Sequence, residues 1–267
     1  MTWEPGQYLK YASERLRPAL DLLARIPLAA PASAVDLGCG AGNVTRILAE
    51  RWPGARIVGI DNSDAMLATA REAAAAAGNV SFRSADLAAW AAAATPSSLD
   101  LVYSNAALHW LDDHATLFPR LMGAVAPGGA LAVQMPSNFL APSHVALQEV
   151  AGGPRWDAQL GALLRPVPVA PAVRYLEWLS PHAHTVDAWT TEYLHVLPRA
   201  SDGEHPVIAW IKGTALTPFL AALGADAQRA FIRDCTERVA QAYPALPDGR
   251  VLYPFRRVFM VATRGNR

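Results

Sequence analysis

A glycine-rich turn follows the first short apolar run of the chain. Residues 35–43 read VDLGCGAGN, so Gly38, Gly40 and Gly42 come directly after a predicted strand that contains Asp36. Because glycine has no Cβ, the backbone N–H groups of such a turn can approach a ligand closely. The turn predicts a binding site for a nucleotide-like ligand, although a turn that simply needs tight backbone would have the same composition.

The spacing of the glycines bears on the kind of ligand. The dinucleotide-binding fingerprint GxGxxG would place its third glycine at position 43, where this chain has Asn43. This departure disfavours a pyrophosphate ligand. A nicotinamide-dependent dehydrogenase is therefore a weaker hypothesis, which a cofactor titration would test.

Acidic residues stand at the ends of the next two predicted strands. Asp61 ends the second strand, where a carboxylate can accept hydrogen bonds from both hydroxyls of a ribose. Asp86 follows the third strand, where it can accept a hydrogen bond from an adenine amino group, or it can act as the N-cap of the next helix. Because the carboxyl ends of parallel strands meet at one edge, we expect these acids to converge on one crevice.

Short apolar strands and amphipathic helices alternate through the first half of the chain. This order is typical of a parallel sheet covered on both faces, and it predicts a doubly wound α/β fold. The predicted strands are 34–37, 56–60, 80–84, 99–104 and 130–134. The predicted helices are 13–26, 44–51, 65–77 and 114–125, with a short alanine-rich helix before the fourth strand.

The alternation ends after residue 136, and a proline-rich stretch at 165–171 interrupts regular structure. Alternating patterns at 185–194 and 258–263 predict an antiparallel edge hairpin, with helices at 206–223 and 225–242 inserted between its strands. The sequence thus predicts an N-terminal lid and first helix (1–30), a cofactor-binding core (31–136), and substrate-cap helices with edge strands (137–267).

The composition of the chain disfavours some classes of binding partner. The 267 residues include 23 Lys and Arg and 23 Asp and Glu, which argues against nucleic acid and anionic membranes as partners. We expect no membrane-spanning helix, because no apolar run is long enough to span a bilayer, and no signal peptide, because the first residues are polar and charged. Cys39 and Cys235 are far apart and suggest neither a disulfide nor a metal site. We expect a cytoplasmic protein, monomeric or a weak homodimer.

Five segments in order, VDLGCGAGN, GIDNSDAML, SADL, DLVYSNAALHWL and APGGALAVQMP, resemble class I S-adenosylmethionine-dependent methyltransferases. The segments WEPGQYLKYASERLRPALDLLARIP, AVQMPSNFLAPSH and FRRVFMVA make nearly the whole chain similar to the trans-aconitate methyltransferases, which esterify one carboxylate of a small tricarboxylic acid. The resemblance implies a Rossmann-like fold with a mostly parallel seven-stranded sheet, an antiparallel edge hairpin and a small helical cap. It also implies S-adenosyl-L-methionine as cofactor, S-adenosyl-L-homocysteine as its product, and a small polycarboxylate as substrate.

The resemblance further implies which residues contact the cofactor. They are Asp36, Gly38, Gly40, Asp61, Asn62, Met66, Asp86, Leu87, Asn105 and Ala106. The first three would meet the methionine portion of the cofactor and Asp61 its ribose. Met66 would cover one face of the adenine, and Asp86 with Leu87 would meet its edge. Asn105 and Ala106 would lie beneath the sulfonium.

Methylation of a carboxylate needs little chemistry from the protein. A carboxylate with an ordinary pKa of about 4 is ionised at neutral pH and attacks without a general base. We therefore predict no catalytic base and no metal, and assign positioning roles to Asn105 and Trp110. His109 could serve as a base for a hydroxyl substrate, but a lone histidine is more often a structural hydrogen-bonding residue.

The other carboxylates of the substrate require cations. The candidates are Arg17, Arg174, Lys212, Arg256 and Arg257, each of which could instead be an ordinary surface charge. Arg257 is favoured because it opens the last strand near Tyr253 and Phe255 and matches an arginine of the family.

Aromatic residues are the remaining substrate candidates. Those predicted to contact substrate are Tyr8, Trp110, Tyr175 and Trp210. The aromatic segment 3–13 is predicted to close over the cofactor as a lid. Two alternatives stay open: a methyltransferase for an O- or C-linked methyl on another acceptor, and a nucleotide-binding protein without activity.

Overall fold

The computed structural model describes residues 12–75, 77–200 and 203–266. Its strands are β1 (Ser33–Leu37), β2 (Arg56–Asp61), β3 (Val80–Ser84), β4 (Leu99–Asn105), β5 (Val125–Pro136), β6 (Thr185–Leu197) and β7 (Val251–Thr263). Within these residues they form one seven-stranded sheet in the order β3-β2-β1-β4-β5-β7-β6.

Helices connect the strands. In the first half of the chain they are α1 (Ala12–Ala24), α2 (Asn43–Arg51), α3 (Asp64–Ala73), α4 (Leu87–Ala93) and α5 (His114–Ala124). In the second half they are α6 (Pro142–Ala151), α7 (Asp157–Leu160), α8 (Ala172–Leu179), α9 (Pro206–Lys212), α10 (Thr217–Ala221) and α11 (Ala225–Ala242). None of the helices in the described part of the chain is long and apolar enough to cross a membrane.

The central strands are buried on both faces, which explains their continuous apolar sequences. Val35 of β1 pairs in parallel with Val58 of β2 on one side and with Val102 of β4 on the other. β3 and β5 extend the parallel sheet, and β7 runs antiparallel beside β5. The predicted α/β fold with a mostly parallel sheet and an antiparallel edge hairpin is confirmed.

The described chain divides into two compact units. The core unit contains Arg15–Pro136, Pro168–Thr191 and the residues from Arg257 onward. The second unit contains the described residues 12–14, Ser137–Val167 and Glu192–Arg256. The predicted segment 137–267 therefore contributes to both units, and strands β6 and β7 each continue from one unit into the other.

The second unit has its own apolar core. Helices α6, α9 and α11 contribute buried side chains that include Leu147, Trp210 and Phe231, and the ring of Trp156 meets Phe231 edge-on with centroids 5.3 Å apart. This cluster accounts for the helical pattern in the second half of the chain.

Several predicted element boundaries differ from the structure; β7, for example, begins at Val251 and not at residue 258. β5 begins at Val125 because this residue pairs with Leu99 across an irregularity, whereas the sequence predicted a start at 130. The predicted helix 206–223 is interrupted after Lys212, where Gly213 caps α9 and the N–H of Thr214 donates to the carbonyl of Ile211 at 3.0 Å.

Candidate active site

The glycine turn between β1 and α2 has left-handed backbone at three positions. Gly38, Gly40 and Gly42 have φ values of 75°, 53° and 77°, which disfavour side chains. A Cβ on Gly38 would lie 2.1 Å from the Cβ of Ala107, whereas one on Gly40 would meet no atom within 4 Å. Gly38 is thus required by close packing, and Gly40 faces open space.

The N–H groups of these glycines are already used within the protein. Gly38 donates to the carbonyl of Ile60, Gly42 to that of Cys39, and Gly40 to the carboxylate of Asp61. These three hydrogen bonds fix the shape of the turn. The open surface of the turn lies at Gly40, since a Cβ there would meet no atom within 4 Å.

Asp36 is a buried carboxylate inside β1, just before the turn. It is 2% exposed, and it accepts a hydrogen bond from Thr45 Oγ1 of α2 at 2.6 Å. Burial is the main cause that raises the pKa of Asp36, the Thr45 hydrogen bond lowers it, and the nearby Asp61 adds a smaller increase, so that the pKa is about 7. Asp36 can therefore change its charge near neutral pH.

Asp61 ends β2 and is held in a fixed orientation. Its Oδ2 accepts the Gly40 N–H and its Oδ1 accepts the Ser63 N–H, both at 2.9 Å. An ionised carboxylate has about four lone-pair positions, so both oxygens keep capacity for further donors. Two neighbouring ribose hydroxyls match this arrangement.

The other predicted cofactor contacts in this region lie just after β2 and β3. Met66 is half-buried in the first turn of α3, where its N–H is capped by Ser63, and Asn62 is exposed. Asp86 caps α4 by accepting the Ala89 N–H at 2.8 Å, so the N-cap interpretation of this residue is confirmed. Leu87 lies next to the turn, since its Cδ1 would be 3.6 Å from a Cβ on Gly38.

The end of β4 carries backbone strain. Ala106 has φ 54°, which is uncommon for a residue with a side chain, and its N–H donates to the carbonyl of Gln134 at 2.9 Å. The Oδ1 of the preceding Asn105 is buried and has no hydrogen-bond partner among the described residues. Strain and unsatisfied polar atoms tend to occur together at functional sites.

Trp110 follows in a short 3₁₀ helix, Leu108–Trp110. Its side chain is 53% exposed, which is unusual for tryptophan, and its ring lies against His109 with centroids 4.8 Å apart. An indole with this exposure is available to form the wall of a binding site.

Arg257 is the buried cation among the candidates. It is 5% exposed at the start of the core-unit portion of β7, opposite Pro136 of β5, and its Nη1 donates to Gln134 Oε1 at 3.4 Å. Neither Gln134 nor Thr45 is among the site residues predicted from the sequence. The signal for Gln134 was an amide in an otherwise apolar strand.

The structure gives the other substrate candidates different surroundings. Tyr175 has no exposed surface, and its hydroxyl is hydrogen-bonded to His114 Nδ1 at 2.7 Å and to the Ala170 N–H at 3.2 Å. Trp210 is 2% exposed and stacks on His195 in the second unit. Both positions favour packing over substrate contact. Tyr8 and most of the predicted lid lie outside the described residues.

The remaining candidate cations either form ion pairs with nearby carboxylates or are exposed. Arg174 forms an ion pair with Glu177, and Lys212 binds Glu204 at 2.8 Å. Arg17 and Arg256 are exposed. In the part of the chain that the structure describes, no group of three His, Cys, Asp or Glu side chains is arranged to hold a metal ion.

The glycine turn after β1, the acid ending β2 and the polar residues ending β4 lie in one unit with this strand order. Together they define the class I fold of S-adenosylmethionine-dependent methyltransferases. A model of the methyltransferase domain matches residues 34–129. The phosphoethanolamine N-methyltransferase 2 of Haemonchus contortus, solved with S-adenosyl-L-methionine, is similar in fold, with a TM-score of 0.54 and 20% identity over 93% of this chain and 52% of that chain.

Two relatives are similar over almost their whole length. The trans-aconitate 2-methyltransferase of Methylobacterium nodulans is 48% identical over 98% of this chain and 98% of that protein. The enzyme of the same name from Azoarcus sp. (strain BH72) is 46% identical over 98% and 99%. The chain belongs to the trans-aconitate 2-methyltransferase family and uses S-adenosylmethionine as its cofactor.

Proposed function

We propose that this enzyme methylates one carboxylate of trans-aconitate, or of a similar small polycarboxylate, and releases the monomethyl ester. The names of its relatives support this acceptor. The observation in the structure that carries the proposal is the burial of Arg257 beside Gln134, near the carboxyl end of β5. A guanidinium stays charged at any physiological pH and can bind a carboxylate through two parallel hydrogen bonds.

The proposed cofactor contacts follow the geometry of the core unit. Asp36 and the surface beside Gly38 and Gly40 would receive the methionine portion. The free capacity of Asp61 suits the ribose hydroxyls, with the exposed Asn62 beside it.

At the adenine end, Met66 would cover one face of the ring, and Leu87 with the second oxygen of Asp86 would meet its edge. Asn105 and Ala106 would lie beneath the sulfonium. The Oδ1 of Asn105, which is buried and has no hydrogen-bond partner among residues 12–75, 77–200 and 203–266, supports a ligand at that point.

When bound, the cofactor supplies an electrophilic methyl group attached to a sulfonium. The acceptor carboxylate is already ionised, so no residue needs to remove a proton. Arg257 would hold a second carboxylate of the substrate, and Trp110 would form one wall of the site. Positioning of this kind can contribute about 7–11 kcal/mol to a two-reactant step.

The test is a labelled-methyl assay with trans-aconitate, cis-aconitate, citrate, a monocarboxylate and a hydroxylated aromatic compound. We expect turnover with trans-aconitate and a labelled product that alkali hydrolyses, since a methyl ester is base-labile. A product that survives alkali would show an ether or a carbon-linked methyl. Cofactor binding without turnover of any acceptor would support a protein without activity.

We also propose that residues 1–11 form part of a lid. We further propose that the enzyme acts on a small molecule in the cytoplasm, as a monomer or weak homodimer. Nucleic acid and membranes are not among its proposed partners. Support comes from the aromatic composition of the N-terminus and the equal numbers of positive and negative side chains. Removing residues 1–11 should lower both turnover and cofactor affinity. Intact activity after this deletion would contradict the lid, and sedimentation across a concentration series would test the oligomeric state.

A further inference from the structure

A buried amide interrupts the apolar sequence of β5. From Ala130 to Met135 every residue is 0% exposed, and Gln134 is the polar member of this run. Burial of an amide without hydrogen bonds costs about 1–3 kcal/mol in proteins. A glutamine at this depth therefore implies groups that bind both ends of its side chain.

Only one end of the Gln134 amide is bound within the described residues. Its Oε1 accepts a hydrogen bond from Arg257 Nη1 at 3.4 Å, which fixes the amide oxygen on the side of the guanidinium. Its Nε2 is buried and has no hydrogen-bond partner in the part of the chain that the structure describes. The structure thus contains a fully buried N–H donor that requires an acceptor.

The register of the sheet places this donor in a row of polar side chains. Gln134 pairs with Asn105 of β4 on one side and with Phe259 of β7 on the other. Arg257 precedes Phe259 by two positions, so it lies on the same face of the sheet as Gln134. Asn105, Gln134 and Arg257 therefore cross three neighbouring strands on one face, near the carboxyl ends of β4 and β5.

We propose that Gln134 is a substrate-binding residue that determines the preference for polycarboxylates. Its Nε2 donates to an oxygen of the same substrate carboxylate that Arg257 binds, and its Oε1 holds the guanidinium in position for this contact. A neutral amide suits the role because a glutamate here would pair with Arg257 and cancel its charge. The inference rests on the proposed function, since it assigns a residue to the carboxylate that does not react.

The first experiment compares Gln134→Met, which keeps the length of the side chain and removes its donor and acceptor, with the matched control Gln241→Met at an exposed position of α11. We expect the Gln134 variant to raise KM for trans-aconitate at least tenfold, with kcat within about threefold of wild type. Its affinity for S-adenosyl-L-homocysteine should be unchanged. The control should match wild type in every parameter.

A second readout separates binding from structural support. The preference of the wild-type enzyme, kcat/KM for trans-aconitate over that for a monocarboxylate analogue, should fall at least tenfold in Gln134→Met. Gln134→Glu should raise KM for trans-aconitate more than Gln134→Met does, and Gln134→Asn should recover part of the loss. If Gln134→Met folds poorly, the other two variants still test the proposal, because KM for trans-aconitate should be higher in Gln134→Glu than in Gln134→Asn.

The inference is overturned if Gln134→Met, or the Glu and Asn pair, keeps the wild-type KM and preference, because the Nε2 would then be bound by water or by nothing. This outcome is distinct from a failure of the proposed function. If the proposed function failed, the wild-type enzyme itself would form no base-labile ester from trans-aconitate.

Discussion

The carboxylate of Asp61 accepts the backbone N–H of Gly40 at 2.9 Å, so the acid that ends β2 also fixes the glycine turn that follows β1. The same carboxylate binds the N–H of Ser63, the N-cap of α3. One side chain therefore connects two loops that both border the proposed cofactor site.

Replacing Asp61 should reveal these two roles separately. Asp61→Ala removes the acceptor of both N–H groups and should lower stability by about 1–3 kcal/mol. Asp61→Asn keeps one acceptor oxygen and should lower stability less. Both should weaken cofactor binding at least tenfold, measured by calorimetry with S-adenosyl-L-homocysteine alongside urea unfolding. Cofactor affinity equal to wild type in Asp61→Asn would contradict the ribose assignment.

The glycine turn offers a matched pair of substitutions. Gly38→Ala introduces both left-handed strain and a collision with Ala107, so it should cost about 2–4 kcal/mol of stability. Gly40→Ala introduces strain of about 1–2 kcal/mol without a collision, but its methyl group would enter the open space proposed for the cofactor. We expect Gly40→Ala to lose more cofactor affinity than stability. The control is Gly54→Ala, since a Cβ at Gly54 meets no atom within 4 Å. Normal cofactor affinity in Gly40→Ala would contradict the proposed position of the cofactor beside Gly40.

Asp36 predicts a pH dependence of cofactor binding. With its pKa raised to about 7, it is partly protonated at neutral pH, and a positively charged amino group on the cofactor requires the ionised form. Affinity for S-adenosyl-L-homocysteine should therefore fall up to tenfold per pH unit below 7. Thr45→Val removes a hydrogen bond to the carboxylate and should move the inflection to higher pH. Asp36→Asn should bind weakly with no inflection, and an inflection retained in that variant would assign the titration to another group.

The same group affects the stability of the free protein. The folded pKa of Asp36 is above the unfolded value of 3.8, so the folded state binds more protons between pH 4 and 7. The contribution of Asp36 to stability therefore decreases as pH rises through this window, by about 4 kcal/mol at most. Without cofactor, Asp36→Asn should unfold at a higher temperature than wild type at pH 8, and the difference should shrink towards pH 5.

Asp86 both caps α4 and is proposed to meet the adenine. Asp86→Asn keeps a good N-cap, whereas Asp86→Ala loses the hydrogen bond to Ala89 and should cost about 1 kcal/mol. If the carboxylate also binds the cofactor, Asp86→Asn should weaken cofactor binding several-fold at unchanged melting temperature. Identical affinity in wild type and Asp86→Asn would leave Asp86 with the capping role alone.

Arg257 should control the affinity for the acceptor and not for the cofactor. Arg257→Lys keeps the charge but loses the two-pronged geometry, and should raise KM for trans-aconitate about tenfold. Arg257→Met should raise it further. Arg120→Met, an exposed arginine of α5, is the control. A KM for trans-aconitate that is unchanged in Arg257→Met would remove the structural support for a polycarboxylate acceptor.

The features that the sequence predicted correctly depend on local patterns. Alternating strands and helices, the turn at Gly38 and the strand-end position of Asp61 can all be read within a few neighbouring residues. The position of Gln134 beside Arg257 depends on the register between β5 and β7, which joins residues 123 positions apart. The surroundings of Tyr175 likewise depend on a distant residue, because its hydroxyl is hydrogen-bonded to His114 of α5.

The passage of the chain between its two units has a consequence for recombination. From Arg15 onward the chain crosses from one unit to the other after Pro136, Val167, Thr191 and Arg256. A single crossover within the gene would therefore join halves of both units from different parents. Exchanging the parts of the second unit that follow Arg15 with those of a homologue requires two inserts, 137–167 and 192–256, whose ends must fit four junctions at once. We expect this unit to have diverged mainly through point substitutions, and to be inherited together with the core.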